Sequence, residues 1–184
     1  RLVHMELVVD SKEWIDWATS NGIDHRITSY INFKPGNLYT FQPDHTDNTY
    51  ASPRTWEFAN RLLEVTELGS PDLLPMLAGT ISEGVAREFL SFCKIYQDLP
   101  TTDSIIAAPK TIKVPSEPSI LFALTGSMAH HASVDNFSAL MEFIERLPVE
   151  FQVVCLRETV RRNKTMMAHA AVQKWIANSA ANLF

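Results

Sequence analysis

A mainly α-helical fold with one short strand at its start is predicted from three features of the 184-residue sequence. Apolar residues recur at helical spacing from about residue 10 almost to the end. Helix-starting and helix-stopping residues punctuate that pattern at short intervals. The one run with strand character is Leu2-Val3-His4-Met5-Glu6-Leu7-Val8-Val9, bounded by Asp10-Ser11.

The elements follow in order. Asp10 with Glu13 predicts a capping box, Trp14, Trp17 and Ala18 share one face, and Asn21-Gly22 stops the helix. Asp24 caps a second helix carrying Ile27, Tyr30 and Ile31, which ends before Pro35. Residues 35 to 51 read as a long polar and aromatic loop. Ser52 and Pro53 open a helix that places Trp56, Ala59, Leu62 and Leu63 on one side and ends near Gly69. A short helix is expected from Ser70-Pro71 to about Ala78, broken at Gly79. The next runs from about Ser82 to Asp98, with Val85, Phe89, Phe92, Cys93 and Tyr96 inward. Pro100, Pro109, Pro115 and Pro118 predict an extended crossing segment with one short turn near residues 104–107. Helices are expected at about 118–131, 134–146, 149–162 and 166–178, separated by Pro148 and Asn163.

Composition narrows the classes of function. Apolar residues make up 46% and charged residues 20%, an ordinary globular balance. The net charge of −5 comes without a basic stripe, so nucleic acid is not an expected partner. No apolar run reaches the length of a membrane span, so no membrane is expected. Cys93 and Cys155 both sit in apolar helical patterns. Buried thiols in a reducing, cytoplasmic setting are the expectation. The chain opens on Arg1 directly into apolar sequence, as the middle of a larger domain does.

Most chemical motifs fail on spacing. Gly79-Thr80-Ile81-Ser82-Glu83-Gly84 has the glycine spacing of a phosphate loop, but Val85-Ala86 follows where Lys and Ser or Thr are needed. Asp44-His45-Thr46-Asp47-Asn48 lacks the glycine and distal glutamate of a calcium loop and reads as solvated. His130-His131 suit the cation-favouring end of a helix, and His169 stands alone. No ligands converge at zinc spacing, so no metal ligand is assigned. Ser127, Ser133 and His131 lack a nucleophile elbow and an orienting acid.

Arg54 is the exception. It stands at a helix start, where unpaired N–H groups and the dipole favour an anion. Two readings stay open on local physics: a surface arginine paired with Glu57 at i,i+3, or a guanidinium that acts with the free N–H groups on a bound phosphate.

The order of parts carries a resemblance. An Arg-x-x-His-x-Glu-Leu strand, two short helices, a loop and Ser52-Pro53-Arg54-Thr55-Trp56-Glu57 resemble the small helical lid of AAA+ ATPases of the MoxR-like branch. The resemblance implies that Arg54 is the lid's sensor 2 arginine, contacting the γ-phosphate of ATP, with Ser52 beside it as a second nucleotide-binding residue. Arg1 falls where the family carries an arginine finger toward the neighbouring subunit, although Leu2 stands where the family has Phe. Leu147-Pro148-Val149-Glu150-Phe151-Gln152 and Lys174-Trp175-Ile176 resemble a C-terminal helical extension of some bacterial and phage members.

The implied organisation is residues 1–9 as the last strand of an upstream core, 10–98 as the lid and 99–184 as the extension. No Walker A lysine motif or magnesium-holding acidic pair occurs. ATP and Mg would then be held mainly by a core upstream of Arg1, and this stretch alone would not hydrolyse ATP. The expected partners are that core, neighbouring subunits of a ring and a protein client, with a hinge around Val9 to Ser11. The alternative is a non-catalytic helical module that binds a protein partner.

Overall fold

A computed structural model describes residues 2–6, 8–44 and 48–183. Among the described residues it contains ten α-helices and no strand. They are α1 (Ser11–Ser20), α2 (His25–Phe33), α3 (Pro53–Val65), α4 (Leu73–Ile81), α5 (Glu83–Ile95), α6 (Thr102–Ala107), α7 (Pro118–His131), α8 (Phe137–Ile144), α9 (Val149–Arg162) and α10 (Ala170–Leu183). Short 3-10 turns at Pro35–Leu38 and Lys164–Ala168 precede the 39–52 loop and α10.

Most boundaries follow the predicted chemistry. The Asp10 carboxylate accepts from the N–H groups of Lys12 and Glu13, and Asp24 accepts from that of Arg26. Gly22 takes the positive φ of 75° that turns the chain after α1. Asp24 N–H in turn donates to Asn60 Oδ1 at 2.8 Å, which ties the start of α2 to α3.

Four expectations are corrected. The strand over 2–9 does not form: its described residues carry no regular structure, and Leu2, Val3, Met5 and Val8 are more than 80% exposed. A single strand has no ladder partner here to take its backbone groups. Gly79 does not break a helix but lies inside α4. The break comes at Ser82, a buried non-glycine residue at φ 76° and ψ 154°, a strained conformation between α4 and α5. Trp17 is half-exposed, because Trp14, Ile15 and Ala18 fill the buried stripe of α1. Finally, the last helix starts at Ala170, since the Asn163 side chain accepts from Thr165 N–H and starts a 3-10 turn first.

Two apolar cores result. The first gathers α1 to α5 around Tyr30, Trp56 and Phe89, whose rings lie 5.3 to 5.7 Å apart by centroid. The Trp56 indole N–H is satisfied by the Asn37 carbonyl at 2.9 Å. The second core holds Ile105, Leu124, Phe137, Phe143, Cys155 and Met166. Buried Gln152 stitches it: its amide donates to the Leu147 and Glu145 carbonyls, and its Oε1 accepts from the Trp175 indole at 2.7 Å.

Helix α7 belongs to both cores. Ala123 packs in the first, while Leu121, Leu124 and Met128 pack in the second. Phe122 lies against Phe33 of α2 on one side and Phe151 of α9 on the other, with centroids 5.8 and 5.0 Å apart. At the α2 crossing, Gly126 leaves no space for a side chain. A Cβ there would meet Ser29 Oγ at 1.8 Å, Ser29 Cβ at 3.0 Å and Tyr96 Oη at 3.3 Å.

Gly126→Ala should therefore destabilise the chain by about 1–3 kcal/mol despite alanine's better helix propensity. Thermal unfolding of G126A alone and with Ser29→Gly checks this. The double variant should regain most of the loss, and a neutral or stabilising G126A would show that the crossing is loose.

Candidate functional site

Arg54 is the second residue of α3 and is exposed. Pro53 has no N–H. The Thr55 N–H goes to Ser52 Oγ at 3.2 Å, and the Trp56 N–H goes to the Ser52 carbonyl at 3.0 Å. The Thr55 hydroxyl reaches back to accept from Ser52 N–H at 2.8 Å, which completes a reciprocal cap. Of the N–H groups in this first turn, only that of Arg54 has no acceptor among the described residues. The expected fan of free amides is thus reduced to one, and Ser52 Oγ is engaged by its own helix.

The expected pair of Arg54 with Glu57 is also absent. Glu57 instead pairs with Arg61 at i,i+4, with N and O 2.6 Å apart. The Arg54 guanidinium sits over the Phe58 ring at 5.6 Å, and Arg61 approaches the same ring at 5.7 Å. The first turn of α3 carries no acid. Beside it lies an exposed aromatic trio, Tyr39, Phe41 and Tyr50, joined to the helix start where Thr55 Oγ1 donates to the Tyr50 carbonyl at 3.2 Å. Such a corner offers an anion one mobile guanidinium, one amide and a positive dipole end. Arg1 lies outside the described residues, as do His45, Thr46 and Asp47 of the Asp44–Asn48 stretch.

A second polar cluster forms where α9 meets α1 and α2 and α2 meets α7. The His25 ring stacks on His130 at 4.3 Å with planes 14° apart, and His131 meets both rings edge-on. Burial pushes the His25 imidazole down to about 3, the nearby charges of Arg162 and Arg26 adding to this against the pull of Asp24. At neutral pH its contact with Asp24 at 3.6 Å is therefore not an ion pair. Burial pulls the Asp24 carboxyl upward, but the hydrogen bonds and charge of Arg26 outweigh it and hold the group below its usual range.

Across the seam, Arg162 donates to Thr28 Oγ1 at 3.2 Å, and burial lowers its pKa. Buried Glu158 accepts from Asn32 at 3.3 Å and from Arg161 at 2.8 Å, and Arg161 also pairs with Asp16. Glu158 Oε2 and Arg162 Nε have no partner among the described residues.

These charged residues close the helix expected at about 149–162, as Arg157-Glu158-Thr159-Val160-Arg161-Arg162. The missed signal is spacing: Cys155, Glu158 and Arg162 fall at i, i+3 and i+7, on the buried stripe. Among the described residues no group of three or more His, Cys, Asp or Glu side chains has a geometry that could hold a metal ion. Ser127 lends its carbonyl to His131 Nδ1 at 2.8 Å, and Ser133 exchanges hydrogen bonds with Asn136 before α8. His169 packs edge-on against Phe137. Both cysteine thiols are free and pushed up to about 12 by burial. None of the described helices is long and apolar enough to cross a membrane. Comparison with family models, with curated proteins and with solved structures finds no match to the chain.

The buried imidazole makes stability pH-dependent with a definite sign. The unfolded chain takes a proton on His25 near pH 6.5, whereas the folded chain takes it only near 3. Stability is thus fully present above about 6.5 and is lost as pH falls, by up to about 1.4 kcal/mol per pH unit. Melting temperatures between about pH 6.5 and 5 should fall in the parent chain and fall much less in His25→Phe, which keeps a ring against His130. Equal slopes in the two would remove His25 as the cause.

Proposed function

We propose that the chain is the helical lid and C-terminal helical extension of a MoxR-like AAA+ ATPase, with Arg54 as the lid residue that reaches the γ-phosphate of bound ATP. One observation carries the reading: Arg54 is exposed at the acid-free start of a Ser52-capped, Pro53-initiated helix. A second supports it. Leu2, Val3, Met5 and Val8 leave an apolar segment uncovered next to α1, as the last strand of a sheet in a preceding core would be once that sheet is removed.

ATP with Mg, held mainly by that core, supplies the phosphoryl group and its charge. The chain supplies a compensating cation on a separate lobe. The Arg54 guanidinium, carried by α3, moves toward the phosphate as the lobe turns about Val9 to Ser11, and its single unshared N–H adds to the attraction. Ser52 acts on the helix cap rather than on the nucleotide. Arg1, by the same reading, serves the nucleotide of the neighbouring ring subunit. Coupling that motion to a protein client would make the assembly a remodelling or assembly machine, and the two free thiols suit a cytoplasmic one. The module reading, a helical partner-binding domain without catalysis, draws on the apolar groove between α9 and α10.

In the full-length protein, Arg54→Ala should lower ATP turnover at least about tenfold with the fold intact by circular dichroism. Glu57→Ala, which removes only the partner of Arg61, should leave turnover within about twofold. Unchanged turnover in R54A refutes the role. A full-length sequence without a Walker A lysine favours the module instead.

A further inference from the structure

Helices α9 and α10 and the 3-10 turn between them enclose an open groove of about 510 Å3. Its walls are apolar: Val153 and Val160 from α9, Met167 from the turn, and Trp175 and Ile176 from α10. Met167 and Ile176 are 49% and 37% exposed, so the groove reaches solvent. The one hydrogen-bonding group that Trp175 carries is already taken by Gln152, which leaves an aromatic ring to offer. A small-molecule site uses a few convergent polar groups to fix its ligand. Here the polar lining consists, among the described residues, of Arg157, Arg161 and Lys164.

Those three are all cations, on a chain whose net charge is −5. Arg161 is neutralised by Asp16 and Glu158. Arg157 and Lys164 are exposed and make no ion pair among the described residues. They stand seven residues apart, Arg157 on α9 and Lys164 on the 3-10 turn beyond the extended Asn163. Complementary to a groove of this lining is an amphipathic helix with apolar residues at i, i+4 and i+7 and carboxylates flanking them. The flexible thioether of Met167 suits a wall that must adjust to such an insert.

We infer that the α9–α10 groove is a docking site for an acidic amphipathic helix of a partner protein, with apolar side chains seated between Val160 and Ile176 and carboxylates on Arg157 and Lys164. This surface lies on elements separate from Arg54, and the inference stands whether or not the chain serves an ATPase.

Three labelled synthetic helices test it by fluorescence anisotropy against the whole chain. One carries Leu at i, i+4 and i+7 with Glu on the flanks, one replaces each Glu by Lys, and one scrambles the acidic sequence. The acidic helix should bind saturably, at least about tenfold tighter than the other two, and should weaken with salt. Met167→Asp with Ile176→Asp should abolish this binding, and Arg157→Glu with Lys164→Glu should transfer the preference to the Lys helix. Both exchanges are at exposed positions, and circular dichroism verifies their folding. The proposal is overturned by an absence of saturable binding, by equal binding of the acidic and Lys helices, or by a preference that survives charge reversal. Concentration-dependent self-association that Ile176→Asp removes would also overturn it, by making a second copy the occupant.

Discussion

Helix α7 can lie across α2 only because residue 126 has no side chain. Ser29 Oγ occupies the place where a Cβ would stand, and Ser29 Cβ and the Tyr96 phenol close off the rest. Helix packing normally keeps axes 8–10 Å apart according to the residues at the crossing, and a glycine moves that limit inward. The consequences spread from this point. Ala123 enters the first core only at this depth, Phe122 wedges between Phe33 and Phe151, and the end of α7 brings His130 onto His25. Helix α9 then completes the seam with Arg162 on Thr28 and Glu158 on Asn32.

The polar character of that seam has a cost and a use. Glu158 Oε2 and Arg162 Nε are buried without a described partner, and each such group opposes folding by about 1–3 kcal/mol. Apolar residues would hold two helices more tightly, but they would also let them slide. Fixed pairs between α9 and the α1–α2 unit select one register for the junction of the two cores, a role for which buried polar groups are known. The Arg54 corner, by contrast, is built for access. Its helix start is stabilised by its own cap, and the guanidinium rests on Phe58 with no ion pair among the described residues.

How much of this was legible depends on whether the cause was local. Helix ends were, because Asp24, Asn21-Gly22, Ser52-Pro53 and Pro148 act through their own backbone neighbourhood. Pro118 likewise opens α7, and Pro148 and Asn163 bound α9. Gly79 was misjudged because a glycine stops a helix only in the left-handed conformation, and Ser82 adopts the positive φ instead, held there by tertiary packing. The segment 2–9 has the composition of a strand, but pairing is a property of a partner and not of composition. At the candidate site the sequence located Arg54 and its exposure-compatible position. It could not reveal that Ser52 would take the amides of Thr55 and Trp56 and Thr55 that of Ser52, or that Arg61 would take Glu57. The seam itself was illegible because Glu158 and Arg162 meet partners on α2, Asn32 and Thr28, that lie more than 100 residues away along the chain.

The two cysteines divide evenly between the two cores, Cys93 in the first and Cys155 in the second. Both are free and buried, and a thiol held near 12 is almost entirely protonated and inert at neutral pH. Alkylation of either sulfur must therefore wait for its own half to open. The chain carries an intrinsic pair of opening probes, one per core, read by which sulfur is modified first. Equal rates would mean that the two halves open together through the α7 seam, and unequal rates that one half breathes alone.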